Sequence, residues 1–295
     1  MFERNIENEL KRWKDWVDRK VLIVRGARQV GKTSVVRKFG QENFDQVVEI
    51  NLEKKDLLKA FAGVESVVDF EKRVQLLLGK SLINEKTLLF IDEIQESKEI
   101  LELLRFFAEE RPALHVIVAG SLLETKMAGN WSIPVGRVDY MYMYPMTFFE
   151  YLQAKEDLES FQYLQQIKPG DEIKSLEILQ KKYEEYVTIG GMPEVVANFV
   201  RSKDYGETQL IYAKLQTAYA EDIEKYAPGS EKKYLGLVME AAPTIAGTLY
   251  KYENFGGSMY KSREMAEALK KLEQVMLLRQ IKAINSTNLP LQYKE

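Results

Sequence analysis

Residues 20–34 read "KVLIVRGARQVGKTS", and this stretch decides the fold. Lys20 to Val24 hold one lysine followed by Val, Leu, Ile and Val, the composition of a strand buried on both faces. Gly26, four further residues, then Gly31, Lys32 and Thr33 match G-x-x-x-x-G-K-[ST], the phosphate-binding loop pattern. The pattern has a physical basis. A helix N-terminus leaves backbone N–H groups unpaired and carries partial positive charge. A glycine-containing loop feeding such a helix, here residues 26–34 (Gly26, Ala27, Arg28, Gln29, Val30, Gly31, Lys32, Thr33 and Ser34), wraps those N–H groups around phosphate oxygens. Gly26 and Gly31 permit close approach and torsions that a side chain blocks. Lys32 then reaches the β- and γ-phosphates, and Thr33 offers its hydroxyl to Mg²⁺. An ordinary strand–turn–helix connection is the alternative. It matches this spacing by chance roughly once in a hundred chains of this length. The following "SVVRKF" supplies the expected helix.

Working outward, the composition narrows the chemistry. The 295 residues are 45% hydrophobic and 29% charged, as in an ordinary globular protein of two or three domains. A net charge of −3 gives no global argument for nucleic acid or membrane binding. With no cysteine, disulfides, thiolate zinc sites and thiol nucleophiles are excluded. His115 is the sole histidine and sits in "LHVIVAG", where a packed strand position is the better reading. No apolar run approaches the roughly 20 residues of a membrane span. The opening "MFERNIENELKRWKDWVDRK" is charged and lacks an apolar signal core, so a cytoplasmic protein is expected. Ile6, Leu10, Trp13 and Val17 follow helical spacing and predict a helix packed beside the nucleotide domain.

A phosphate loop of this kind needs a second acid near Mg²⁺. "KTLLFIDEIQ" supplies it: the apolar run Leu88 to Ile91 ends in Asp92 and Glu93. The carboxyl ends of strands are where open α/β sheets bind ligands. Asp92 would complete Mg²⁺ ligation, and Glu93 would orient or deprotonate the water attacking the γ-phosphate. A solvated acidic strand end is the bland alternative. Ser121 ends the next apolar run, "LHVIVAGS", where it either touches the γ-phosphate or caps the following segment. Residues 138–144 read as a strand ended by Pro145, with Thr147 and Glu150 as a capping box for the next helix. Arg137 precedes that strand, and both transition-state neutralisation and a structural ion pair stay open for it.

"GARQVGKTS", "LLFIDEIQ", "VIVAGS", "VGRVDYMYMYPMTFFEYL" and "YVTIGGMPEVV" occur here in an order that resembles the bacterial and archaeal AAA-type ATPases. Those are joined to an uncharacterised C-terminal domain and are related to signal-transduction NTPases. The resemblance covers roughly residues 15–200 and continues more loosely to the end. It implies a P-loop α/β core with a parallel sheet of the additional-strand type, and ATP with Mg²⁺ as cofactors. Gly31, Lys32 and Thr33 would bind phosphate and Mg²⁺, with Asp92 and Glu93 as the second acidic motif. Ser121 would stand at the sensor 1 position, and Arg137, in the family's Gly-Arg motif, would be an arginine finger in its own or a neighbouring chain. Arg28 and Gln29 match the family's Arg-Gln without an assigned role. Family members run on for about another hundred residues beyond "NLPLQYKE", so a further C-terminal domain is expected.

Elsewhere, "QVVEINLEK" reads as a second strand, and "FEKRVQLLLGKSL" as a helix on the sheet. Ile100, Leu103, Leu104 and Phe107 share one face of a helix over 98–111. After about residue 150 the pattern turns helical, with a glycine stop at 190–191, a restart at Pro193, and tyrosines at packing positions. Residues 231–283 predict a helical module in which Ser262 caps a helix carrying Met265, Leu269, Leu272 and Met276 inward, followed by a strand in "LLRQIKAI". Helix then strand is the end of a winged helix, which the resemblance also implies. Lys261, Arg263, Lys270 and Lys271 could meet DNA phosphates, but Glu264, Glu267 and Glu273 dilute that charge and leave protein contacts equally open. The expected organisation is an ATPase domain over 1–150, a helical region over 151–230 and a winged-helix-like module over 231–295. The expected function is Mg²⁺-dependent ATP hydrolysis coupled to conformational change in the helical and winged-helix region. A slow nucleotide-dependent switch or scaffold acting on a protein partner or DNA is the alternative, and a homo-oligomer is open.

Overall fold

The computed structural model describes residues 2–83, 85–120, 136–168, 170–227 and 229–283, apart from the side chains of Lys225 and Tyr226. The chain forms two compact units, Met1–Gln216 and Thr217–Glu295.

In the first unit, α1 (Ile6–Asp15) precedes β1 (Val21–Arg25). Then come α2 (Lys32–Asn43), β2 (Gln46–Asn51), α3 (Lys55–Ala60), α4 (Val67–Leu78) and β3 (Thr87–Asp92). α5 (Lys98–Glu110), β4 (His115–Gly120) and β5 (Val138–Tyr142) complete the sheet region. All strand pairs are parallel, and the order is β2-β3-β4-β1-β5. This is the α/β architecture expected from alternating apolar runs and amphipathic helices. β3 and β4 are buried along their whole length, which only helices on both sheet faces allow.

Register sets the site. Arg25 lies level with Gly120 and Tyr142, and Asn51 level with Asp92, so every strand ends at one edge. On one face Ile23, Ile50, Ile91 and Val118 pack with Phe70 and Val74 of α4 and with Leu103, Leu104 and Phe107 of α5. The opposite face meets α2 at Gly40, where an added Cβ would stand 2.9 Å from Leu88 Cδ2. Ile6, Leu10 and Trp13 of α1 are buried as the helical spacing predicts. Val17 is not: α1 stops at Asp15, Trp16 turns extended, and Val17 is exposed. His115 is buried between the rings of Trp13 and Phe44.

After β5, α6 (Phe148–Ala154) opens with the complete Thr147–Glu150 capping box. α7 (Leu158–Gln166) and α8 (Leu176–Ile189) follow; α8 ends at Gly190 with φ 74°, and α9 (Pro193–Ser202) restarts on Pro193. α10 (Tyr205–Tyr226) runs from the first unit into the second.

The second unit packs α11 (Lys232–Ile245) against α12 (Ser262–Gln274) around Leu235, Val238, Phe255, Met265, Leu269 and Leu272. Three expectations fail here. Ser262 is the first helical residue rather than the cap, because Lys261 holds the extended position before it. Met276 lies beyond the helix end, at φ 61°. Residues 277–283 form no strand. A strand needs a partner for its N–H and C=O groups, and none of the described strands belongs to this unit.

Candidate functional site

The loop after β1 is shaped by backbone constraints. A Cβ on Gly26 would stand 2.3 Å from the Met143 carbonyl oxygen, so only glycine fits against that strand end. Gln29 and Gly31 adopt φ of 65° and 98°, and Gly31 delivers the chain into α2. Ala27 and Val30 are buried beneath the loop, whereas Gln29 and Ser34 are exposed.

Lys32 is 6% exposed, and its Nζ donates to the carbonyls of Gly26 and Ala27, each at 2.9 Å. Burial pushes its pKa down to about 8, partly opposed by the negative charges of Glu93 and Asp92 and assisted by nearby Arg28. Thr33 Oγ1 donates to Asp92 Oδ2 at 2.8 Å and so joins the first turn of α2 to the end of β3. Asp92 is buried, and that burial raises its pKa, with the Thr33 bond acting in the opposite sense. Glu93 follows at φ 54° and starts a short 3₁₀ turn. Its carboxylate accepts from the Gln95 amide, and burial raises its pKa as well. The local balance is one buried cation against two carboxylates, with the Arg28 guanidinium close enough to act on Lys32.

The donor set suits Mg²⁺ held mostly by its ligand. Mg²⁺ keeps several waters and takes one or two protein oxygens beside substrate phosphates. Thr33 and Asp92 offer those oxygens, and no cluster of three or more His, Cys, Asp or Glu side chains able to hold a metal occurs among the described residues.

Two further sequence candidates remain. Ser121 falls outside the described residues. Arg137 precedes β5, where Val138 is level with Val21, the first residue of β1. The phosphate loop leaves the other end of β1, about 16 Å away at roughly 3.3 Å per residue. Arg137 Nε instead donates to Glu109 of α5 at 3.0 Å, with its side chain 52% exposed.

One feature of the loop's surroundings is invisible in the sequence. Arg4, 8% exposed, donates from Nη1 to the Val30 carbonyl (3.0 Å), from Nη2 to the Tyr144 carbonyl (2.7 Å) and from Nε to Glu150 (3.1 Å). Glu150 also accepts from the backbone of Asn5 and Thr147. The partners lie 146 residues apart, and only the capping role of Glu150 has a local signature.

A parallel sheet with β1 next to β4, a glycine loop leading into α2, and an acidic end to β3 defines the class: a P-loop fold of the additional-strand type. Residues 18–152 match the family model of an AAA domain, and residues 180–295 match that of a domain of unknown function, DUF8612. The chain thus carries an AAA-type P-loop domain followed by that domain of unknown function. The Walker-type ATPase PABY2304 of Pyrococcus abyssi aligns over 93% of this chain and 90% of its own, with TM-score 0.57 and 16% identity. DnaA of Aquifex aeolicus bound to AMPPCP covers 91% of this chain and 86% of its own at TM-score 0.40 and 10% identity. The Aeropyrum pernix ORC1 protein in complex with DNA covers 99% and 88% at TM-score 0.38 and 13% identity. Among curated proteins none matches.

Proposed function

We propose that the chain binds ATP with Mg²⁺ at residues 26–34 and hydrolyses it. The observation that carries this reading is the Thr33–Asp92 hydrogen bond, which brings the first turn of α2 and the acidic end of β3 together at one sheet edge. The β- and γ-phosphates would draw Lys32 off the Gly26 and Ala27 carbonyls, since full negative charge outcompetes neutral acceptors. The free N–H groups at the start of α2 would complete the cradle. When bound, Mg²⁺ supplies charge neutralisation between the β- and γ-oxygens, held by Thr33 and, through water, Asp92. Glu93 would take the proton of the attacking water.

The Glu93–Gln95 bond favours a slow enzyme, because the carboxylate must leave that amide before it can act. Coupling to the helical region has a material route within the first unit. Met146 N–H donates to the Gly191 carbonyl at 2.6 Å, and Tyr186 Oη donates to the Met146 carbonyl at 2.8 Å. For DNA on α12, Glu267 and Glu231 offset the charge of Arg263 and Lys271, which leaves the exposed Lys261 and Lys270 as the remaining basic candidates.

Isothermal titration with ATP and ADP tests the binding step: Lys32→Ala should abolish most affinity, and unchanged affinity refutes the assignment. Arg137, a strand-length from its own loop, would serve a neighbouring chain. Mixing Arg137→Ala with Glu93→Gln should then restore part of the turnover each lacks, and no recovery returns Arg137 to a structural ion pair.

A further inference from the structure

We infer that Arg4 is a positioning residue for the phosphate loop, setting the direction of the Gly31 N–H. The inference rests on the nucleotide reading of that loop. Its basis is peptide geometry. In a trans peptide the C=O of one residue and the N–H of the next point in opposite directions. Arg4 Nη1 holds the Val30 carbonyl at 3.0 Å, so the Gly31 N–H of the same peptide is turned to the other side. Gly31 is where the loop enters α2, at φ 98°, a conformation in which glycine has many alternatives. Without an external anchor this peptide is free to rotate, and a donor aimed at phosphate would be lost for part of the time.

The anchor is itself fixed. Arg4 is fastened by the Tyr144 carbonyl and by Glu150, and Glu150 is fastened by two backbone N–H groups, Asn5 at 2.8 Å and Thr147 at 2.7 Å. Both side chains are nearly inaccessible, at 6% and 4%. A buried pair of this kind offers little net stability over an apolar replacement. Its retention against the loop is explained by what it orients. The same cation stands 3.8 Å from the place a Gly31 Cβ would occupy, beside Met143 Cε and Pro193 Cγ, so it packs directly against the turn it anchors.

The test measures ADP affinity by titration calorimetry at a temperature where each variant is folded by circular dichroism. Arg4→Gln should weaken ADP about tenfold. Arg4→Lys, which keeps one donor but not the fork, should fall between Gln and the wild-type chain. Tyr151→Phe is the control: it removes a hydroxyl donation to Glu185 from the same helix α6 and leaves Arg4 untouched. It should lower the melting temperature without moving ADP affinity. ADP affinity of Arg4→Gln within twofold of wild type overturns the inference. An equal affinity loss in Tyr151→Phe also overturns it, since general loosening then accounts for the effect. Should Arg4→Gln not fold, Arg4→Lys decides by the same twofold criterion. Failure of the wild-type chain to bind ADP would instead refute the nucleotide site itself.

Discussion

The carboxyl edge of the sheet and the unit after Thr217 treat charge in opposite ways. At the sheet edge Lys32, Asp92, Arg4 and Glu150 are all buried and each is held by named partners. In the second unit the ion pairs stay near solvent: Arg263–Glu267 is exposed, and Lys271–Glu231 and Lys232–Glu224 are partly so. Burying charge costs several kcal/mol per ion before pairing. A fold keeps such groups where their orientation has a use, so the first region reads as a site. The second unit instead carries an apolar cleft of about 630 Å³ between α11, α12 and residues 277–283, with Val238, Pro243, Leu269 and Leu277 among its lining.

The largest expected effect breaks the chemistry and leaves the cradle. Glu93→Gln should keep ATP affinity and lose turnover by about 10²-fold or more, the scale of general-base loss. Retained turnover in a phosphate-release assay would move the base to another residue.

Two glycines sharpen the contrast between regions. Gly26→Ala drives a methyl toward backbone at 2.3 Å and should displace the loop, with at least a tenfold loss of ADP affinity. Gly256→Ala meets Ala241 Cβ at 2.6 Å and a φ of +60°, and should destabilise the second unit by about 1–3 kcal/mol. Its ADP affinity should stay within twofold; a parallel loss in both variants would erase the distinction.

Protonation gives smaller effects. His115 is neutral in the fold, its pKa pushed down to about 4 by burial and then by Arg19, with Lys14 and Asp15 also nearby. Below pH 6.5 the unfolded chain takes up a proton that the folded chain refuses until about pH 4. Stability should therefore fall as pH drops through that window, by roughly 3 kcal/mol from this group. His115→Gln should flatten the dependence of the urea midpoint on pH, and an unaltered slope would remove His115 as its cause. Lys32 works at the other end of the scale. At pH 9, a lysine with pKa about 8 is mostly neutral. Nucleotide restores its charge, so binding should take up about 0.9 proton at that pH and almost none at pH 7. Calorimetry in two buffers of different ionisation enthalpy reads this directly, and zero uptake at pH 9 would mean that Lys32 keeps one charge state on binding, refuting the coupled protonation.

The sequence by itself determined what is local. Four apolar residues before Gly26, the spacing to Gly31 and Lys32, and the run ending in Asp92 specify strand, loop, helix and acidic strand end within short windows. The Thr147–Glu150 box and the Gly190 stop are likewise carried by neighbours in the chain. The tertiary structure alone decided the rest. The Arg4–Glu150 pair spans 146 residues, and neither residue type announces a partner. Parallel register, which only packing fixes, set Arg137 level with the start of β1 and far from the loop it resembled serving. Residues 277–283 lacked a neighbouring strand and so formed none, because β-structure is a property of two segments and periodicity describes only one.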